Sequence, residues 1–85
     1  MNDFKQTLRT ALVTQFRVER DRLDDNARLF SSGLIDSLSV LNLVCFVESE
    51  IGQAVPPTDI TLENFDSIAQ ILTFVQTLTG KGGQE

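Results

Sequence analysis

Phe4, Leu8, Ala11, Leu12 and Phe16 recur at spacings of three and four residues, which is the pattern of one apolar helix face. The same spacing returns in Val40, Leu43, Val44, Val47 and Ile51, and again in Ile68, Ile71, Leu72, Val75 and Leu78. Strand-like alternation is weak throughout, so the pattern predicts an all-α fold. A weaker helical turn falls at residues 59–64, giving a small four-helix bundle of three main helices and one short one. At 85 residues the folded chain exposes roughly 5,000 Å² against roughly 13,600 Å² unfolded, enough burial for one core and too little for two. Residues 1–80 are therefore expected to form one domain, and the glycine-rich residues 81–85 a frayed tail.

The punctuation between helices supports these assignments. Asp3 with Gln6 resembles a capping box at the first helix start, and that helix should fade in the charged run Glu19-Arg20-Asp21-Arg22. Residues 21–35 lack helical pattern, a long connection for so small a chain. Leu23, Leu29, Phe30, Leu34 and Ile35 supply apolar anchors that would pin it to the core, and Gly33 suits a tight turn. Asp36 is a good N-cap for a second helix over about 36–51, with Gly52 as its stop. Pro56-Pro57 forces extended backbone, and Ser67 with Gln70 matches a capping box for the last helix.

The second helix carries more apolar surface than one core face needs. With Val40 at zero and about 100° per residue, Leu43, Val44, Val47 and Ile51 lie within about 60° of it. Leu38, Leu41 and Cys45 fall near about 160°, 100° and 140°, forming a second stripe, and Phe46 stands apart near about 240°. Either the long loop covers that second stripe or it is an exposed docking face.

The residue inventory excludes most catalysis. The chain has no His, Tyr or Trp and a single Cys, so it has neither an imidazole-activated nucleophile nor a zinc cluster. No glycine-rich loop followed by Lys is present to cradle a nucleotide. Cys45 amid Val44, Phe46 and Val47 reads as a small hydrophobe. The lone cysteine leaves no internal disulfide, and a reducing, cytoplasmic setting is expected. No run approaches the ~20 apolar residues of a membrane span, and the N-terminus lacks the apolar stretch of a signal peptide.

Charge is unevenly distributed. Residues 1–30 hold six bases and five acids, whereas residues 31–80 hold six acids (Asp36, Glu48, Glu50, Asp59, Glu63, Asp66) and no base. That field disfavours nucleic acid and anionic lipid and favours a basic partner, or it simply keeps the protein in solution.

The segment Gly33-Leu34-Ile35-Asp36-Ser37-Leu38 closely resembles the signature of acyl and peptidyl carrier proteins. Order and size also match that family over roughly residues 3–78: a helix, a long anchored loop ending in the motif, a second helix, a short third and a fourth. Phe65-Asp66-Ser67-Ile68 has a familial look as well. The resemblance implies that Ser37 receives 4′-phosphopantetheine from coenzyme A, by a separate phosphopantetheinyl transferase using Mg²⁺. It implies a monomeric, non-enzymatic carrier that holds an acyl or aminoacyl cargo as a thioester. A loading ligase and downstream transferases would meet it at Asp36, Leu38, Leu41 and Cys45. The physics of the site agrees, because a helix N-terminus tolerates a phosphodiester. The second helix departs from the strongly acidic pattern of fatty-acid carriers, with Ser39, Asn42 and Ser49 exposed and acids only at Glu48 and Glu50. A specialised lipid, polyketide or aminoacyl pathway is expected, and a free-standing protein. The alternative is an unmodified helical adaptor that binds a partner through the second helix.

Overall fold

The computed structural model describes residues 2–80, with Asn2 and Asp3 described by backbone alone. Four α-helices follow in order: α1 (Asn2–Thr14), α2 (Val40–Ile51), α3 (Leu62–Phe65) and α4 (Ile68–Thr79). Short 3₁₀ turns occupy Arg20–Arg22, Ser37–Ser39 and Pro57–Asp59. The described chain has no strand, and the fold is the small all-α bundle expected, with its long connection between α1 and α2.

Each apolar stripe meets the others in one core. Leu8, Ala11 and Leu12 of α1, Leu43, Val44 and Val47 of α2, and Ile68, Ile71 and Val75 of α4 are buried. Phe65 of α3 is fully buried, its ring 5.4 Å from that of Phe74 at a tilted angle that suits the aromatic quadrupoles. The connection between α1 and α2 contributes Leu23, Leu29 and Ile35 to the same core, with Phe30 and Leu34 packed at its edge. It is an anchored loop, as its apolar content requires.

The helix ends differ from the sequence reading in instructive ways. α1 already includes Asn2, so the backbone of Asp3 lies inside the first turn and not at the N-cap position. The helix also stops at Thr14, short of the charged run, which forms a separate 3₁₀ turn. Its end is closed by Phe16 N–H donating to Ala11 O and Val18 N–H to Leu12 O, with Arg17 between them at φ 60°. That is the left-handed position where glycine usually sits. α2 is preceded by a 3₁₀ turn and not by regular α-helix, and it ends at Gly52 at φ 75° as expected. At α4, Ser67 Oγ accepts from Gln70 N–H at 3.1 Å. The return half of that capping box is not made, since Gln70 Oε1 is buried without a hydrogen-bond partner.

Candidate functional site

The long loop delivers Ser37 to the surface, and one carboxylate organises that loop. Asp66, between α3 and α4, is 2% exposed. Its Oδ1 accepts from Phe30 N–H at 2.7 Å and Ser31 N–H at 3.0 Å, and its Oδ2 accepts from Ser31 Oγ–H at 2.6 Å. Its backbone carbonyl takes Leu29 N–H at 2.7 Å. Arg28 approaches Oδ2 at 3.9 Å. Burial pushes this carboxyl up, but the hydrogen bonds from the Ser31 side chain and from the Ser31 and Phe30 amides, with the Arg28 charge, outweigh it and hold the pKa below the usual carboxylate range.

Further upstream, Asp25 makes a second tie. Its carbonyl accepts from Ala69 N–H at 2.9 Å, and its carboxylate meets Lys5 at 2.7 Å and Arg9 at 3.6 Å. The loop is therefore stapled to the start of α4 and to α1. Just after the segment that Asp66 holds, the chain turns back on itself: Gly33 N–H donates to Phe30 O and Ile35 N–H to Leu29 O. Gly33 sits at φ 86°, a conformation strained for other residues. Buried Ile35 is the last anchor before the motif.

Immediately after that anchor the backbone emerges. Asp36 adopts extended dihedrals and its Oδ1 accepts from Leu38 N–H at 3.3 Å, the cap expected of it. Ser37 is the first residue of the 3₁₀ turn that runs into α2, and it is exposed. Its hydroxyl has no hydrogen-bond partner among the described residues. Leu38 and Leu41 are 84% and 61% exposed, and Cys45 is an exposed free thiol. The loop does not cover the second stripe. The five expected site residues share an exposed surface at the N-terminal half of α2, while Val44 and Val47 point to the core. Glu48, expected among the acids of this helix, is instead occupied at the other end, where Oε2 accepts from Val55 N–H at 2.7 Å.

Three features escaped the sequence reading. Leu62 on α3 is a third exposed large apolar residue. Asp66 reads in sequence as an ordinary acid near a helix start, and only its burial reveals its role. Arg17 carries no sequence mark of its left-handed backbone. Among the described residues no group of three His, Cys, Asp or Glu side chains could hold a metal ion, and no helix is long and apolar enough to cross a membrane.

An uncommitted hydroxyl, exposed at the first position of a turn that runs into a helix, with the neighbouring Asp36 carboxylate engaged as the cap, is suited to accept a group from a separate enzyme. It is not suited to catalysis on its own. Comparison with known proteins agrees. The family model described as the phosphopantetheine attachment site matches residues 6–75. The chain is also 34% identical over 59 residues to a D-alanyl carrier protein of Abiotrophia defectiva, covering 69% of this chain and 72% of that protein. The chain belongs to the phosphopantetheine-binding carrier protein family. Members are non-catalytic carriers that bear 4′-phosphopantetheine covalently, and the residues around Ser37 fit that group: an exposed serine hydroxyl, a helix start that tolerates phosphate, and open space beside it.

Proposed function

We propose that Ser37 carries the phosphopantetheine arm and that the arm holds an aminoacyl group as a thioester, delivered between a loading ligase and a downstream transferase. The exposure and free hydroxyl of Ser37, at the first position of the turn capped by Asp36, are the observation that carries the reading. The one carboxylate of the motif, Asp36, is engaged by Leu38 N–H as the cap, so the phosphopantetheinyl transferase supplies the activation of the hydroxyl. Asp36, Leu38, Leu41 and Cys45 form the face that the transferase and ligase grip. Two large exposed leucines beside the serine give that face an apolar patch a partner can cover.

The aminoacyl cargo is supported by the likeness to a D-alanyl carrier protein. The α2 surface is consistent with it. Ser39, Asn42 and Ser49 are polar and uncharged, and Glu48 is tied to Val55 N–H, which leaves Glu50 as the free acid of that helix. A carrier read by fatty-acid enzymes would present more negative charge there.

The test is loading of the arm-bearing protein with ATP and a D-alanine ligase, followed by intact mass. The expected result is a gain of one alanyl group that hydroxylamine removes, as a thioester requires. Loading by a fatty-acyl ligase with no alanylation would contradict the aminoacyl reading.

A further inference from the structure

The reading that places the arm on Ser37 leaves open where the arm rests between encounters with enzymes. A groove of about 560 Å³ lies between the end of α1 and α2. On the α2 side it is lined by Ser39, Asn42, Phe46 and Ser49, at spacings of three, four and three, so they share one helix face, and Cys45 of the apolar stripe borders it. This line begins two residues after Ser37 and extends about 15 Å at 1.5 Å per residue. On the α1 side stand Gln15, Phe16 and Arg17, in the turn that closes α1. A smaller cavity of about 310 Å³ shares Gln15 and Phe46 and carries the groove on toward Thr10 and Thr7.

The lining matches the chemistry of the arm. Phosphopantetheine has an anionic phosphodiester, two amides, a geminal dimethyl group and a terminal thiol. Gln15 and Asn42 offer side-chain amides, Ser39 and Ser49 offer hydroxyls, and Phe16 and Phe46 supply apolar surface. Arg17 brings a positive charge, and no carboxylate lines the groove. A groove of about 610 Å³ between α3 and α4 is bordered by Asp59 and Glu63, which repel a phosphodiester. Arg17 adds a second argument. Its backbone sits at φ 60°, where glycine would be less strained, yet its side chain lines the groove.

We propose that the α1–α2 groove seats the phosphopantetheine arm along the Ser39–Ser49 face of α2, with Arg17 as its cationic contact. This rests on attachment at Ser37. The two claims separate in one experiment on ¹⁵N-labelled protein, with and without the arm. Intact mass first reports whether the arm is attached, and absence of the gain counts against Ser37 attachment itself. With the arm attached, backbone amide shifts at Gln15, Phe16 and Arg17 are expected to move, although these residues lie twenty or more positions from Ser37 in sequence. Arg17→Gly relieves the backbone strain, so this variant should melt no lower than the parent while the arm-induced shifts at Gln15 and Phe16 shrink at least twofold. Shifts confined to the neighbours of Ser37, or appearing at Gln70, Thr73 and Thr77 in place of α1, would overturn the groove assignment. So would shifts at Gln15 and Phe16 that survive Arg17→Gly unchanged.

Discussion

At the residue scale the loop is held by Asp66 more than by any other side chain. One carboxylate takes three hydrogen bonds from Phe30 and Ser31. Cutting it to Ala strands those donors in a partly buried place, and the expected cost is about 2–3 kcal/mol in a denaturant melt. The same contact makes stability depend on pH. The pKa of Asp66 is lowered in the folded protein, so its contribution is complete above the unfolded carboxyl value. It is lost as pH falls through the lower folded value. Between neutral pH and about pH 4 the difference between parent and Asp66→Asn should stay constant, and below that it should narrow. A difference that grows on acidification would show that the charge of Asp66 does not serve the fold. Loosening the loop also loosens the approach to Ser37, because Ile35 and Asp36 follow it directly in the chain.

At the element scale, α2 divides its two apolar faces between fold and function. Val44 is 4% exposed and Leu38 and Leu41 stand in solvent. Leu38→Ala and Leu41→Ala are expected to keep stability within about 1 kcal/mol of the parent. Val44→Ala removes buried methyl groups and is expected to cost about 2 kcal/mol. Arm attachment should slow in the two leucine variants and stay normal per folded molecule in Val44→Ala. Marked unfolding of the leucine variants with normal attachment would place the stripe in the core.

Most of the helical framework was legible at this scale because apolar periodicity reports burial directly. The stripes of Leu8–Leu12, Leu43–Val47 and Ile68–Val75 are the core, and Asp36, Ser67 and Gly52 cap where their chemistry favours it. What was hidden depended on tertiary neighbours. The 3₁₀ turn at Ser37–Ser39 and the left-handed Arg17 are backbone outcomes that side-chain pattern does not encode. Phe74 lies in the core with the stripe of α4, although the stripe read from sequence omitted it. Asp66 looked like a helix-start acid because its partners lie more than thirty residues away. The site was half visible: its motif marked Ser37, whereas the loop architecture that presents it required the fold.

At the scale of the whole molecule, charge and chemistry are separated. The basic residues of the first thirty positions partly serve the loop, through Lys5 and Arg9 at Asp25 and Arg28 near Asp66. The following fifty residues bring six acids and no base. Asp66 is buried and Glu48 half-buried, so the acids that stand in solvent are Asp36, Glu50 and Glu63, with Asp59 half-buried beside them. A molecule of this kind presents an acidic surface with an apolar stripe beside the exposed Ser37, and basic partner surfaces suit it. The chain supplies no catalytic group, and its part in the chemistry is to hold and present. Intact mass after incubation with coenzyme A, Mg²⁺ and a broad-specificity phosphopantetheinyl transferase tests that account most directly. The parent is expected to gain the mass of one phosphopantetheine group, and Ser37→Ala, folded to the same melting temperature, is expected to gain none. An unmodified parent, or a Ser37→Ala protein that still gains the group, would contradict it.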